Sequence, residues 1–345
     1  MLTRSFVELS LRVSRAVVVA LFATCCFASS LSAAPKTGFQ SFIVGNPADA
    51  PPAQTLSPGL VLMGGGTDVD AAFQWMCQRA GGGDFVVIRT SGTDAYNPYI
   101  QQLCPQMDSV ETIIITSVTG ANSDYVSSHI QNAEALWIAG GDQSTYVNLW
   151  RGTAVQTGVN FLLNSKMAPV GGTSAGLAVL SQFIYTGELG SVTSSQALAN
   201  PFHRYVTLDR DLFQSALGLD KLYDSHFVTR DRMGRSLVFL ARIVNNGWST
   251  QPRGIGIDEQ TALLVLPNGG ATMVGNGAAY FLQAPGPAQV LAEKTPLTYL
   301  NIDVYKVPQG GTFNLSTWHG AGGVAYTLNV NNGSMTSTQA GGNIY

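Results

Sequence analysis

Charge is what this chain has least of. Only 11% of its 345 residues are Asp, Glu, Lys or Arg. Setting aside Arg4, Arg12, Arg15 and Glu8 near the N-terminus leaves 15 basic against 20 acidic residues. A sparse, slightly acidic balance argues against nucleic acid or an anionic membrane surface as the partner. Histidine is scarcer still: His129, His203, His226 and His319 are all there are. They lack ligand spacing and there is no H-E-x-x-H, so neither a metal nor another cofactor is expected. Of four cysteines, Cys25 and Cys26 fall in an N-terminal apolar run, which leaves Cys77 and Cys104. Two cysteines permit one disulfide or two separate thiols, and the sequence leaves both open. Internal repeats and heptad patterns are absent.

Apolar residues, by contrast, make up 45% of the chain, enough for a sizeable core. The N-terminus reads as a basic lead, "MLTRSFVELSLRVSR", an apolar run, "AVVVALFATCCFASSLSA", and small residues before Pro35. That order is a secretory signal peptide over residues 1–34 rather than a membrane anchor, cut near Ala33 or Ala34. The mature protein is then expected outside the cytoplasm, periplasmic or extracellular, and free of the membrane.

After a lead-in over residues 35–58, apolar runs alternate with helix-like stretches. The runs "GLVLMG", "DFVVIRT", "ETIIITS", "ALWIAGG" and "APVGGTS" each end in glycine, serine or threonine. Between them lie "DVDAAFQWMCQRA", "AYNPYIQQLC", "SDYVSSHIQNA" and "GTAVQTGVNFLLNS". The pattern predicts an α/β core over residues 59–265, a mostly parallel sheet with helices on both faces. In such sheets ligands gather at the carboxyl ends of the strands. From residue 266 to 345, strand-like alternation with "NGG", "NG" and "NNG" turns predicts an antiparallel β extension, either continuing the sheet or appended to it.

One strand–turn–helix carries chemistry. In "APVGGTSAGLAVLS", residues 168–181, Ser174 stands between Gly172 and Gly176. G-x-S-x-G on such a turn exposes a hydroxyl and aims backbone N–H groups at it. A serine nucleophile needs a base and a group to orient the base. His226 is the distinctive histidine, in "YDSHFVTRDRMGRSLVFLARI", with Asp224 just before it and Arg230, Arg232 and Arg235 after it. Cations at a helix start oppose its dipole unless an anion binds, so the three arginines point to carboxylates. Gly64, Gly65 and Gly66 end one strand and Gly140 and Gly141 another, and both places can bring backbone donors close to a ligand.

"GGTSAG", the preceding "AGGDQ", the following "D-x-H-F-x-x-R-x-R-x-G-R" and then "GIGIDEQTAL" resemble the cyanophycinase-type serine peptidases, a family that includes aspartyl dipeptidase. The resemblance spans roughly Gly59 to Gly310. It implies a class I glutamine-amidotransferase-like fold and a Ser-His-Glu triad. By position Ser174 matches the nucleophile and His226 the base. Glu188, in "YTGELG", is taken for the orienting acid, with Asp224 and Glu259 as fallback choices. Gly65 or Gly66 with the N–H of Ala175 would form the oxyanion hole. Gln143, Asp224, Arg230, Arg232 and Arg235 would hold substrate. The implied activity is hydrolysis of cyanophycin, multi-L-arginyl-poly-L-aspartate, to β-Asp-Arg; the oligomeric state stays open, a homodimer among the choices. Ser225, Leu177 and a long stretch from Ser191 to Gly218 depart from the family pattern and bear on the substrate. An aspartyl or isoaspartyl dipeptidase, an α/β-hydrolase esterase and a non-catalytic binding protein are the alternatives.

Overall fold

Five short apolar runs set the centre of the molecule; four are buried along their whole length and the fifth at all but its two end residues. The computed structural model describes residues 37–218 and 220–345. The expected leader, and its cleavage site with it, lies outside the described residues. The strands β2 (Leu60–Met63), β3 (Asp84–Arg89), β4 (Ser109–Ile115), β5 (Ala135–Ile138) and β6 (Val170–Thr173) run parallel in the order β4-β3-β5-β6-β2. Strands this short and apolar throughout suit a sheet covered on both faces. Alternate residues of β2 enter different cores: Leu60 and Leu62 one, Val61 and Met63 the other.

Both edges of this parallel set are antiparallel. The lead-in contributes β1 (Phe39–Gly45), which pairs with β4. On the other side β2 is followed by β11 (Thr261–Val265), β12 (Gly270–Gly275), β15 (Thr312–Asn314) and β16 (His319–Ala321).

A second sheet begins with β7 (Phe183–Tyr185), β8 (Leu208–Arg210), β9 (Lys221–Asp224) and β10 (Arg253–Ile257). β9 lies parallel to both β7 and β10. From β10 it continues antiparallel through β13 (Ala279–Gln283), β14 (Tyr299–Val307), β17 (Val324–Asn331) and β18 (Ser334–Ser337). The residues after 266 are therefore no appended module. They extend both sheets, and residues 37–345 form one compact unit.

The helix Met233–Asn245 packs on the second sheet and is buried nearly all round, with Leu237, Val238, Phe239, Leu240 and Ile243 in the core it shares with that sheet. Cys77, in the helix Asp70–Ala80, is bonded to Cys104 at the end of the helix Tyr96–Leu103, which settles the cysteine question as a disulfide. Among the described residues no helix is long and apolar enough to cross a membrane.

Candidate active site

Ser174 stands between β6 and the helix Ala175–Ala178, as the residue that caps the helix, in a conformation that L-residues avoid, with φ 53° and ψ −113°. Its N–H donates to the carbonyl of Met63 at the end of β2, at 3.2 Å, so the strained residue is tied to the neighbouring strand. The flanking glycines are sterically required. A Cβ on Gly176 would stand 2.0 Å from the carbonyl oxygen of Ile138, and one on Gly172 would stand 2.6 Å from the backbone of Gly176. The elbow is thus a place where strand ends and helix start touch backbone to backbone.

His226 follows β9 by two residues and is also left-handed, with φ 46°. Four backbone N–H groups hold its loop. His226 donates to Gly64 (2.7 Å) and Phe227 to Ile257 (3.2 Å). Val228 and Thr229 donate to Oδ1 of Asp258, at 3.1 and 2.9 Å. The imidazole Nε2 then lies 2.8 Å from Ser174 Oγ and Nδ1 lies 2.5 Å from Glu259 Oε1. Burial lowers the His226 pKa below 6.5, Glu259 opposes that shift, and Arg230 and Arg232 reinforce it. A histidine kept neutral near pH 7 and oriented through Nδ1 is suited to take a proton at Nε2.

The acid facing this histidine is Glu259, one of the two fallback choices, and not Glu188. Glu188 sits on an exposed turn after β7, where its backbone N–H donates to Thr207 Oγ1. Topology explains the difference. β9 and β10 are parallel neighbours, so the residues just past their carboxyl ends, His226 and Glu259, emerge side by side. Asp224 belongs to another network and is not free to orient the histidine. Its carboxylate takes Arg235 through Nε (2.8 Å) and Nη2 (2.5 Å), with Ser236 Oγ (2.9 Å) and Arg232 Nη1 (3.4 Å) alongside. Although burial pushes the Asp224 pKa up, the two guanidiniums and these hydrogen bonds bring it below the ordinary value.

That network sorts the three arginines. Arg235 is only 3% exposed, bidentate to Asp224 and stacked over Tyr185, so its charge is committed inside the protein. Arg232 donates to the carbonyl of Ser225 at 2.9 Å, and burial lowers its pKa to about 10. Arg230, whose side chain is 54% exposed, lies 3.7 Å from Glu259. All three border a cleft of about 260 Å³ that opens onto Ser174 and is also lined by Asp142, Gln143 and Ser191. The Gln143 amide donates to the carbonyl of Tyr185 at 3.2 Å.

The expected oxyanion donors converge as well. A Cβ on Gly65 would meet the His226 ring at 2.4 Å, and one on Gly66 would meet Glu259 at 3.0 Å. Gly65 thus packs directly on the imidazole, and only glycine fits there, at φ 100°. Among the described residues the N–H groups of Gly65, Gly66 and Ala175 make no hydrogen bond, which leaves them available to a ligand. The other histidines stand apart. His129 pairs with buried Glu111, His203 accepts from the N–H of Tyr205, and His319 is exposed. No group of three or more His, Cys, Asp or Glu suited to a metal ion occurs among the described residues. Asp258, which holds the His226 loop, is the residue of this site that sequence reasoning passed over, although its place next to Glu259 at a strand end was a usable signal.

No family model matches the chain. It is 23% identical over 215 residues to the cyanophycinase of Geminocystis herdmanii, covering 60% of this chain and 71% of that one. To the cyanophycinase of Synechococcus elongatus it is 24% identical over 277 residues, covering 75% and 80% respectively. The crystal structure of a peptidase from an acI-B1 actinobacterium superimposes with a TM-score of 0.50 at 15% identity, covering 75% of this chain and 98% of that one. The fold is therefore of the class I glutamine-amidotransferase-like kind found in such peptidases. The chain is a distant relative of the cyanophycinases and, with them, a hydrolase of the peptidase type.

Proposed function

We propose that this protein is an exported serine peptidase that cleaves cyanophycin to β-Asp-Arg dipeptides with Ser174, His226 and Glu259. The observation that carries the reading is the unbroken relay from Ser174 Oγ through the imidazole to Glu259, at 2.8 and 2.5 Å. His226 Nε2 takes the Ser174 proton as Oγ bonds to the amide carbon joining an aspartyl group to the next residue. The oxyanion is met by the N–H groups of Ala175 and Gly65. Collapse breaks the C–N bond, and the departing amine receives the proton from Nε2. Water, deprotonated by the same nitrogen, then hydrolyses the ester and restores Ser174. Glu259 holds the Nδ1–H tautomer throughout and balances the imidazolium.

The cleft supports a substrate bearing both charges. Arg230, half exposed, is the cation most open to a carboxylate, and Arg232 borders the cleft beside it with only its Nη1 engaged by Asp224 and Ser225, whereas Arg235 is bidentate to Asp224. Asp142 at the rim is the acid for an arginyl side chain. The basic and apolar leader supports export.

The test is to incubate the mature protein and a Ser174→Ala control with cyanophycin and follow β-Asp-Arg by mass spectrometry. Release by wild type alone is the expected result. An intact polymer with cleavage of isoaspartyl or aspartyl dipeptides would narrow the substrate. No cleavage of either would remove the proposed chemistry.

A further inference from the structure

We infer that Tyr345 is a positioning residue for the substrate-facing arginines. Its hydroxyl locks Asp231, the residue between Arg230 and Arg232, and so fixes the turn that presents both. The inference rests on reading the Ser174 cleft as the substrate site.

The turn from His226 to Met233 is held at two separate places. At the histidine end the anchors are Gly64, Ile257 and Asp258, as described above. At the arginine end the geometry centres on Asp231, which is left-handed with φ 46°. Such a residue persists only where its surroundings over-determine it. Its carbonyl accepts from Ser194 Oγ, and that same hydroxyl oxygen accepts the N–H of Arg235 at 3.1 Å. Its carboxylate Oδ1 accepts from the Tyr345 hydroxyl at 2.8 Å. The Tyr345 oxygen in turn accepts the N–H of Met233, the first residue of the helix that carries Arg235, at 2.9 Å. One hydroxyl thus bridges both sides of Arg232.

The tyrosine ring is itself fixed. It stands edge-on to Phe227 and Tyr280, with centroids 6.0 and 5.8 Å away, and the carbonyl of Ile344 accepts from the Tyr326 hydroxyl at 2.9 Å. Phe227 adjoins the catalytic histidine, while Tyr280 and Tyr326 lie on β13 and β17. The antiparallel strands of the second sheet therefore reach the cleft through this side chain. That gives them a role in function beyond completing a core. Burial and the neighbouring Asp231 raise the Tyr345 pKa, which keeps the hydroxyl a donor through the working range of pH.

Tyr345→Phe keeps the ring and removes only the bridge. Three readouts test it: kinetics on an aspartyl substrate, thermal denaturation, and hydrogen–deuterium exchange of the full mature chain. Loss of a hydrogen bond to the exposed Asp231 carboxylate predicts a rise in KM of about two- to fivefold. The value of kcat stays within about twofold, because the anchors of His226 are separate from those of Asp231. Exchange quickens in peptides spanning residues 226–235 while the remaining peptides and the melting temperature stay at wild-type values. Asp231→Ala should reproduce the effect, and the double variant should be no worse than either single one. Unchanged exchange and unchanged KM in Tyr345→Phe would overturn the inference. So would a fall in kcat with KM preserved, or a general loss of protection and melting temperature, which would mark Tyr345 as a support of the whole fold. If the wild type cleaves no aspartyl substrate, the proposed function fails, and exchange at residues 226–235 still decides whether the bridge holds the turn.

Discussion

Replacing Glu259 by glutamine keeps the size of the side chain and removes its charge, at a point 2.5 Å from His226 Nδ1. Two consequences follow from the geometry. The new amide can donate to Nδ1, which would place the ring proton on Nε2, where it faces Ser174 Oγ and blocks proton transfer. The imidazolium formed in the transition state also loses its counter-charge, and Arg230 and Arg232 nearby already disfavour that cation. Loss of the correct tautomer in a serine triad costs about 10⁴-fold in kcat. A fall of about 10³- to 10⁴-fold is therefore expected for Glu259→Gln, or about 4 to 5.5 kcal/mol of barrier. Glu188→Gln, on its exposed turn, should stay within about twofold of wild type. The assay is steady-state hydrolysis of an aspartyl substrate by both variants, with circular dichroism to confirm folding. Glu259→Gln retaining a tenth of the activity, or Glu188→Gln losing as much as Glu259→Gln, would refute the assignment.

Three further outcomes are expected. The lowered pKa of His226 means that kcat/KM falls as pH drops through a value below 6.5 and is flat near neutrality, because the base must be unprotonated; a pH–rate profile with its acid limb above 6.5 would contradict this. Gly65→Ala places a methyl group 2.4 Å from the imidazole and should remove most activity while leaving the melting temperature within a few degrees, as compared by kinetics and calorimetry. Replacing Cys77 and Cys104 by alanine opens a link across a separation of 27 residues and should cost about 3.5 kcal/mol of stability in denaturant titration, with the kinetic constants preserved.

The parallel set of strands was legible because each is a short apolar run closed by small residues, and "GLVLMG" or "ALWIAGG" can hardly be anything else. Ser174 and His226 were legible for a related reason: strand ends in such a sheet collect on one rim, and only one histidine stood among arginines and an acid. The partner of His226 was not. The resemblance favoured Glu188 for its place shortly after the serine helix, whereas pairing of β9 with β10 brings Glu259, 33 residues beyond the histidine, against the imidazole. Strand order is a long-range property that local pattern does not encode. The division of labour among the arginines was hidden for the same reason. Spacing placed Arg230, Arg232 and Arg235 together, but only the buried position of Asp224 decides which charge is already neutralised. Three-residue strands such as β7 and β8 carry too short a pattern to read, and the role of Tyr345 depends on contacts spanning more than 100 residues of chain.

Ser174 as nucleophile is the centre of the account, and trapping the acyl-enzyme tests it most directly. The protein, mixed with aspartyl substrate and quenched in acid within milliseconds, should carry an added aspartyl-containing mass that peptide mapping places on Ser174. The Ser174→Ala protein should carry none. Turnover by the wild type with no adduct on Ser174, or an adduct on a different residue, would contradict the mechanism.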